Sequence, residues 1–222
     1  RFQPGLNVNS VNVLISLHKG YGLGDAVQMS AVLRHVRKYR RHWIIDFMAE
    51  ENQHCIGCGI AHNTFAFGKP YPSLYYDAEV QILLYDTFAN WGDRPNTRVS
   101  SCLHERFGLE WDSGCGQYQI NVSPRALDLA RTILKKNSES SPKRSGLVAV
   151  HYMGNSSPTK KNLSHDEANE ICIEIERLGF TPIVLDWNCT SQLQYTKIRT
   201  PKDWGGNAGI VSAIISQCEA FV

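Results

Sequence analysis

No apolar run in this chain approaches the ~20 residues that a membrane-crossing helix needs, and the opening RFQPGLNVNS lacks the apolar stretch of a secretory signal. Both gaps point to a soluble, cytoplasmic chain and leave peripheral attachment to a membrane open. Charge of one sign is also missing: 23 Lys and Arg stand against 21 Asp and Glu, a formal net charge of +2. So even a balance excludes the whole-molecule field that nucleic acid or an anionic bilayer attracts. The seven cysteines are odd in number, so free thiols are expected rather than a disulfide framework. Without secretion the Asn-x-Ser/Thr sequons at Asn121, Asn155, Asn162 and Asn188 read as chance.

At 42% hydrophobic and 20% charged residues, the chain has enough apolar material for one large core or two modest ones. Val11 to Leu17 is β-branched and apolar and runs into a loop holding Gly20, Gly22 and Gly24, which predicts a strand and a tight turn. From Ala26 to Arg40, Val27, Met29, Val32, Leu33 and Val36 recur at helical spacing, and Asp25 stands at the expected N-cap. The cluster Arg34, Arg37, Lys38, Arg40 and Arg41 then reads as a solvated helix end. Trp43 to Met48 predicts a second strand, making a parallel β-α-β crossover, whereas Ala49 to Tyr76 has little periodicity. Further on, Val80 to Tyr85 predicts a buried strand, Val99 to Phe107 a helix stopped by Gly108, and Tyr118 to Val122 an exposed strand. Arg125 to Lys135 predicts a helix behind Ser123-Pro124.

Lys136 to Ser145 is polar and contains proline, the pattern of a linker. The opening order then returns: strand Leu147 to Tyr152, polar loop, helix Ser164 to Leu178 stopped by Gly179, strand Pro182 to Leu185, and a helix from Ala208 to Glu219. Hence the expectation is two similar α/β lobes, residues 1–135 and 147–222, joined by a linker at 136–146. Phe221-Val222 reads as a strand cut short, so the second lobe is expected to be incomplete.

In parallel α/β sheets ligands sit beyond the C-terminal strand ends, where loops meet helix N-termini. Two loops qualify. Gly22 and Gly24 before Asp25 let a substrate approach the backbone, and a carboxylate there can cap its helix or act as a general base. The loop from Gly154 through Ser156, Ser157, Lys160 and Lys161 to Ser164 has the hydroxyls and ammonium groups that suit a diphosphate, or is a solvated polar loop. Gly20-x-Gly22-x-Gly24 departs from the dinucleotide fingerprint G-x-G-x-x-G, although Asp46 lies where a ribose-binding acid would. Cys55-Ile-Gly-Cys58, flanked by His54 and His62 and followed by Cys102, His104 and Cys115, lacks a second C-x-x-C, so packed thiols are expected over a metal site.

Val13-Leu-Ile-Ser-Leu with Gly22-Leu-Gly-Asp25-Ala-Val-Gln-Met-Ser-Ala-Val-Leu33 resembles the opening of the heptosyltransferase-like glycosyltransferases, family nine. Val148-Ala-Val-His-Tyr-Met-Gly154, Lys160-Lys161-Asn162 and Gly179-Phe-Thr-Pro-Ile-Val-Leu-Asp-Trp187 resemble that family's donor lobe. In the family a proline usually precedes the glycine and a tryptophan follows the basic pair, where this chain has Met153 and Asn162. The resemblance implies a GT-B fold of two Rossmann-like lobes, C-terminally truncated here, and an inverting transfer from a nucleotide-sugar donor to a glycan or other hydroxyl acceptor, without cofactor or metal. It implies Asp25 as general base and Lys160, Lys161, Ser156, Ser157 and Gly154 at the donor diphosphate; Trp187, after the following strand, reads either as a nucleobase or ribose contact or as ordinary packing. A non-catalytic nucleotide- or sugar-binding module and an NAD(P)-dependent oxidoreductase remain the alternatives.

Overall fold

The computed structural model describes residues 10–19, 22–82, 97–138, 146–153, 162–186, 191–198 and 208–222. They fall into two units, 1–121 and 122–222. In the first, strands β1 (Val11–Leu17), β2 (Trp43–Ala49), β3 (Thr64–Ala66) and β4 (Ala78–Ile82) form a sheet of order β3-β2-β1-β4 with every pair parallel. Val13, Leu14, Ile15 and Leu17 are all buried. That is why β1 reads as a continuous apolar run rather than an alternating one, as expected of a strand covered on both faces.

Helix α1 (Leu23–Tyr39) buries Ala26, Met29, Leu33 and Val36, one stripe at helical spacing. It begins at Leu23 and not at Ala26, and Gly22 in extended conformation takes the cap position. The first helical bond runs from Ala26 N to Gly22 O at 3.1 Å. Asp25 is therefore in the first turn, not at the cap. Helix α2 (Thr97–Phe107) ends as expected at Gly108, whose φ of +59° only glycine adopts without strain.

The basic end of α1 is not simply solvated. Arg34 donates to Gln117 O at 2.8 Å, Arg37 to Gly59 O and Ile60 O at 2.9 and 2.7 Å, and Arg40 to Phe107 O at 2.8 Å. These irregular segments have carbonyls without a ladder partner, and the guanidinium groups satisfy them. His35 is buried and accepts at Nε2 from the Asp112 backbone N–H (2.9 Å), so its proton sits on Nδ1, facing Ala31 O at 2.7 Å. The strand expected over Tyr118 to Val122 does not form. Gln119 N–H donates instead to Ser30 Oγ (2.9 Å), and Asn121 Nδ2 donates to Cys58 O (2.6 Å), which ties this stretch to its neighbours by side chains.

The second unit contains α3 (Pro124–Ser138), β5 (Leu147–Val150), α4 (His165–Arg177), β6 (Thr181–Leu185), β7 (Thr196–Ile198), α5 (Ala208–Ile215) and β8 (Ala220–Phe221). Its sheet order is β7-β6-β5-β8, again all parallel. The two sheets therefore share one topology. Helix α3, assigned from sequence to the first lobe, packs in the second: Ala130 and Leu134 join Ala149, Ile183, Ile198, Val211 and Ile214 in one core. The division thus lies at 121/122, and the polar stretch expected as the linker follows α3 within the second unit. Helix α5 stops at Ile215, short of Glu219, so that Glu219 N can reach Leu147 O (2.8 Å) and lead into β8 beside β5.

The six described cysteines are unpaired thiols. Burial pushes Cys55 up to about 11 and Cys102 up to about 12, so both stay protonated at neutral pH. Among the described residues no group of three or more His, Cys, Asp or Glu side chains is placed to hold a metal ion.

Gly57 closes the turn between β2 and β3, and a Cβ there would lie 2.8 Å from both Phe47 Cδ1 and Thr64 Cγ2. Gly57→Ala is expected to destabilise the chain by about 1–3 kcal/mol through overpacking, measured by urea denaturation; a change near zero would mean that the β2–β3 turn yields freely.

Candidate functional site

Each sheet changes direction of growth beside its first strand. In the first unit β2 and β3 lie on one side of β1 and β4 on the other, which makes the C-terminal ends of β1 and β4 the topological switch point. The chain leaves β1 for α1, and α2 is the first described element after β4. Asp25 lies in the first turn of α1 and Arg98 is the second residue of α2. Arg98 Nη1 stands 3.4 Å from Asp25 Oδ1, with side-chain exposures of 28% and 14%. The fold thus brings to one carboxylate a cation 73 residues away in sequence. No spacing rule reveals such a partner.

The two glycines differ. A Cβ at Gly22 would lie 3.6 Å from Asp25 Oδ2, so the carboxylate leans over the cap residue. Beside Gly24 no atom of the described residues lies within 4 Å of such a Cβ. Asp25 thus stands over a cap residue with no side chain, in the first turn of α1.

Asp46 does not serve as a ribose-binding acid. It is 1% exposed, and its carboxylate accepts from Asn63 N (2.9 Å), Asn63 Nδ2 (3.0 and 3.2 Å) and Tyr76 Oη (2.7 Å). Burial, aided by the bond to Asp46, holds the Tyr76 phenol well above its usual range. The carboxylate is a brace between β2 and the segments before β3 and β4.

In the second unit the corresponding switch point lies between β5 and β8. Tyr152, just past β5, is 4% exposed, and its hydroxyl bonds His165 Nδ1 (2.9 Å) and Ser191 Oγ (2.8 Å). Ser191 N–H in turn donates to buried Asp186, at 3.2 and 3.3 Å from its two oxygens. Leu163 N–H donates to Tyr152 O (3.1 Å), and Ser164 caps α4 with Glu167 in a reciprocal capping box. Burial holds the neighbouring His151 below the usual imidazole range, a shift partly offset by a backbone bond at Met153. This polar chain pins the ends of β5 and β6 and the start of α4 to one another. The sequence candidates Gly154, Ser156, Ser157, Lys160, Lys161 and Trp187 lie outside the described residues. Tyr152, Ser191 and Asp186 escaped the sequence reading because buried hydrogen bonds across separate loops leave no periodic signal.

No protein-family model matches the chain, and neither does any curated protein. Solved structures do. A family 9 glycosyltransferase of Veillonella parvula aligns over 96% of this chain and 75% of its own, at 11% identity and a TM-score of 0.67. The ADP-heptose LPS heptosyltransferase II of Escherichia coli aligns over 95% and 78%, at 13% identity and 0.62. The E. coli heptosyltransferase WaaC, solved with ADP-2-deoxy-2-fluoro heptose, aligns over 95% and 82%, at 12% identity and 0.60. At these identities the likeness is one of fold: the chain is an α/β protein of the two-sheet type found in glycosyltransferases.

Because Gly24 sits in the first turn of α1 with no atom of the described residues within 4 Å of an added Cβ, Gly24→Ala is expected to stabilise the chain by up to about 1 kcal/mol, raising Tm in a thermal melt. A lowered Tm would show that this space is filled.

Proposed function

We propose that this chain is a glycosyltransferase that moves a sugar, heptose-like or hexose, from a nucleotide-sugar to a hydroxyl of a glycan or other acceptor. The observation that carries the reading is Asp25, a carboxylate in the first turn of the first helix, at the switch point of a fold shared with enzymes named for ADP-heptose. The acceptor hydroxyl gives its proton to Asp25 as its oxygen attacks the anomeric carbon. The bond from that carbon to the diphosphate oxygen breaks, and its electron pair leaves with the nucleotide. A single displacement inverts the anomeric centre, and a base placed at the attacking oxygen contributes about 10²–10⁴-fold.

The departing diphosphate gains charge, and preorganised donors aimed at it lower the barrier. Lys160, assisted by Lys161, Ser156, Ser157 and the backbone at Gly154, is proposed for that role, which makes the reaction metal-independent and free of cofactors. Trp187 is proposed to contact the nucleobase or ribose. The oxidoreductase alternative loses its ribose-binding acid, since Asp46 is committed to Asn63 and Tyr76. Among the described residues no helix is long and apolar enough to cross a membrane.

Asp25→Asn is expected to lower turnover by about 10²–10⁴-fold with donor affinity unchanged, measured as nucleotide release from ADP-heptose and from the donor giving the largest thermal shift among ADP-, GDP-, UDP- and CMP-sugars. Full turnover in that variant would remove the base assignment. Lys160→Ala is expected to weaken donor binding by about 1.5–3 kcal/mol in calorimetry, and unchanged affinity would remove the phosphate assignment.

A further inference from the structure

We propose that Arg98 is the positioning residue of Asp25, so that proton removal depends on the pair rather than on the carboxylate alone; this rests on the reading of Asp25 as the base. Both side chains stand on anchored helix ends. On α2 the residues after Arg98 are buried, Val99 at 1%, Cys102 at 1% and Leu103 at 0% exposure, and on α1 Ala26 and Met29 are at 0%. The Cα positions of the pair are therefore fixed by core packing, and only side-chain torsions remain to be set. Arg98 Nη1 meets Oδ1 at 3.4 Å, while Oδ2 lies on the Gly22 side, 3.6 Å from where a side chain at that position would begin. The two oxygens are thereby told apart. The guanidinium holds one, and the other lies on the side of the glycine cap.

At 14% and 28% exposure the attraction is less screened than in a surface pair. Before transfer it holds the carboxylate in one rotamer.

The test uses ADP release from ADP-heptose, or from the sugar nucleotide with the largest thermal shift, with water as acceptor, on the whole chain and with melting curves for each variant. Arg98→Met is expected to lower kcat about ten- to hundredfold with donor KM unchanged, Arg98→Lys to recover much of the loss, and Arg98→Met in an Asp25→Asn background to slow the reaction no further. Three results overturn the proposal while leaving Asp25 as base: wild-type kcat in Arg98→Met, a further loss in the double variant, or a raised donor KM at unchanged kcat, which would make Arg98 a donor ligand. Wild-type turnover in Asp25→Asn ends the base reading itself, and the positioning role with it. If Arg98→Met melts early, Arg98→Lys decides the matter: near-normal kcat supports a positioning charge, and loss as severe as in the methionine variant contradicts it.

Discussion

The first strand of each unit is covered on both faces, and the rest of the arrangement depends on that burial. A buried parallel strand must pair on both edges, and here each first strand has two successors on one side and a later strand on the other. The sheet therefore reverses its direction of growth beside β1 and again beside β5. At such a reversal the loops that leave neighbouring strands part from each other, and helix N-termini converge on the gap. Asp25 and Arg98 meet there because α1 belongs to one flank of β1 and α2 to the other, each fixed by its own packed stripe.

Polar groups in the interior divide by whether structure already uses them. Asp46 and His35 are consumed: one carboxylate braces Asn63 and Tyr76, and one neutral imidazole joins α1 to the Asp112 backbone. Tyr152, Ser191 and Asp186 are likewise linked, but at the strand ends where the second unit would receive a ligand. Such a chain is costly to leave half satisfied, so it holds the neighbouring loop ends in one arrangement. Asp25 differs from the first group in standing partly exposed, beside a cap with no side chain.

Most elements were legible because their periodicity is local. Val11 to Leu17 and Leu147 to Tyr152 read as strands, the second ending in the structure at Val150, and Gly108 and Gly179, at φ of +59° and +86°, mark the helix ends that their sequence positions suggest. What was misread depends on partners. The stripe containing Ala130 and Leu134 predicts a helix but not the sheet it covers, so the place of α3 in the second unit is not legible locally. Tyr118 to Val122 alternates like a strand, yet Ser30 and Cys58 take its hydrogen bonds. Gly22 displaced Asp25 from the cap because an extended glycine starts the helix without a side-chain bond. Of the candidate site, the Asp25 loop was visible as glycines before a carboxylate, whereas Arg98 became visible only once the fold had closed a separation of 73 residues.

The central claim is that one carboxylate removes a proton from the attacking oxygen in a single displacement at the anomeric carbon. The most direct check is the configuration of the sugar product as first formed, read by proton NMR before mutarotation, with a nucleotide-sugar donor that the chain turns over. An anomer opposite to that of the donor is the predicted result. Retention of the donor's configuration would require a second displacement or a front-face route, and would contradict the account.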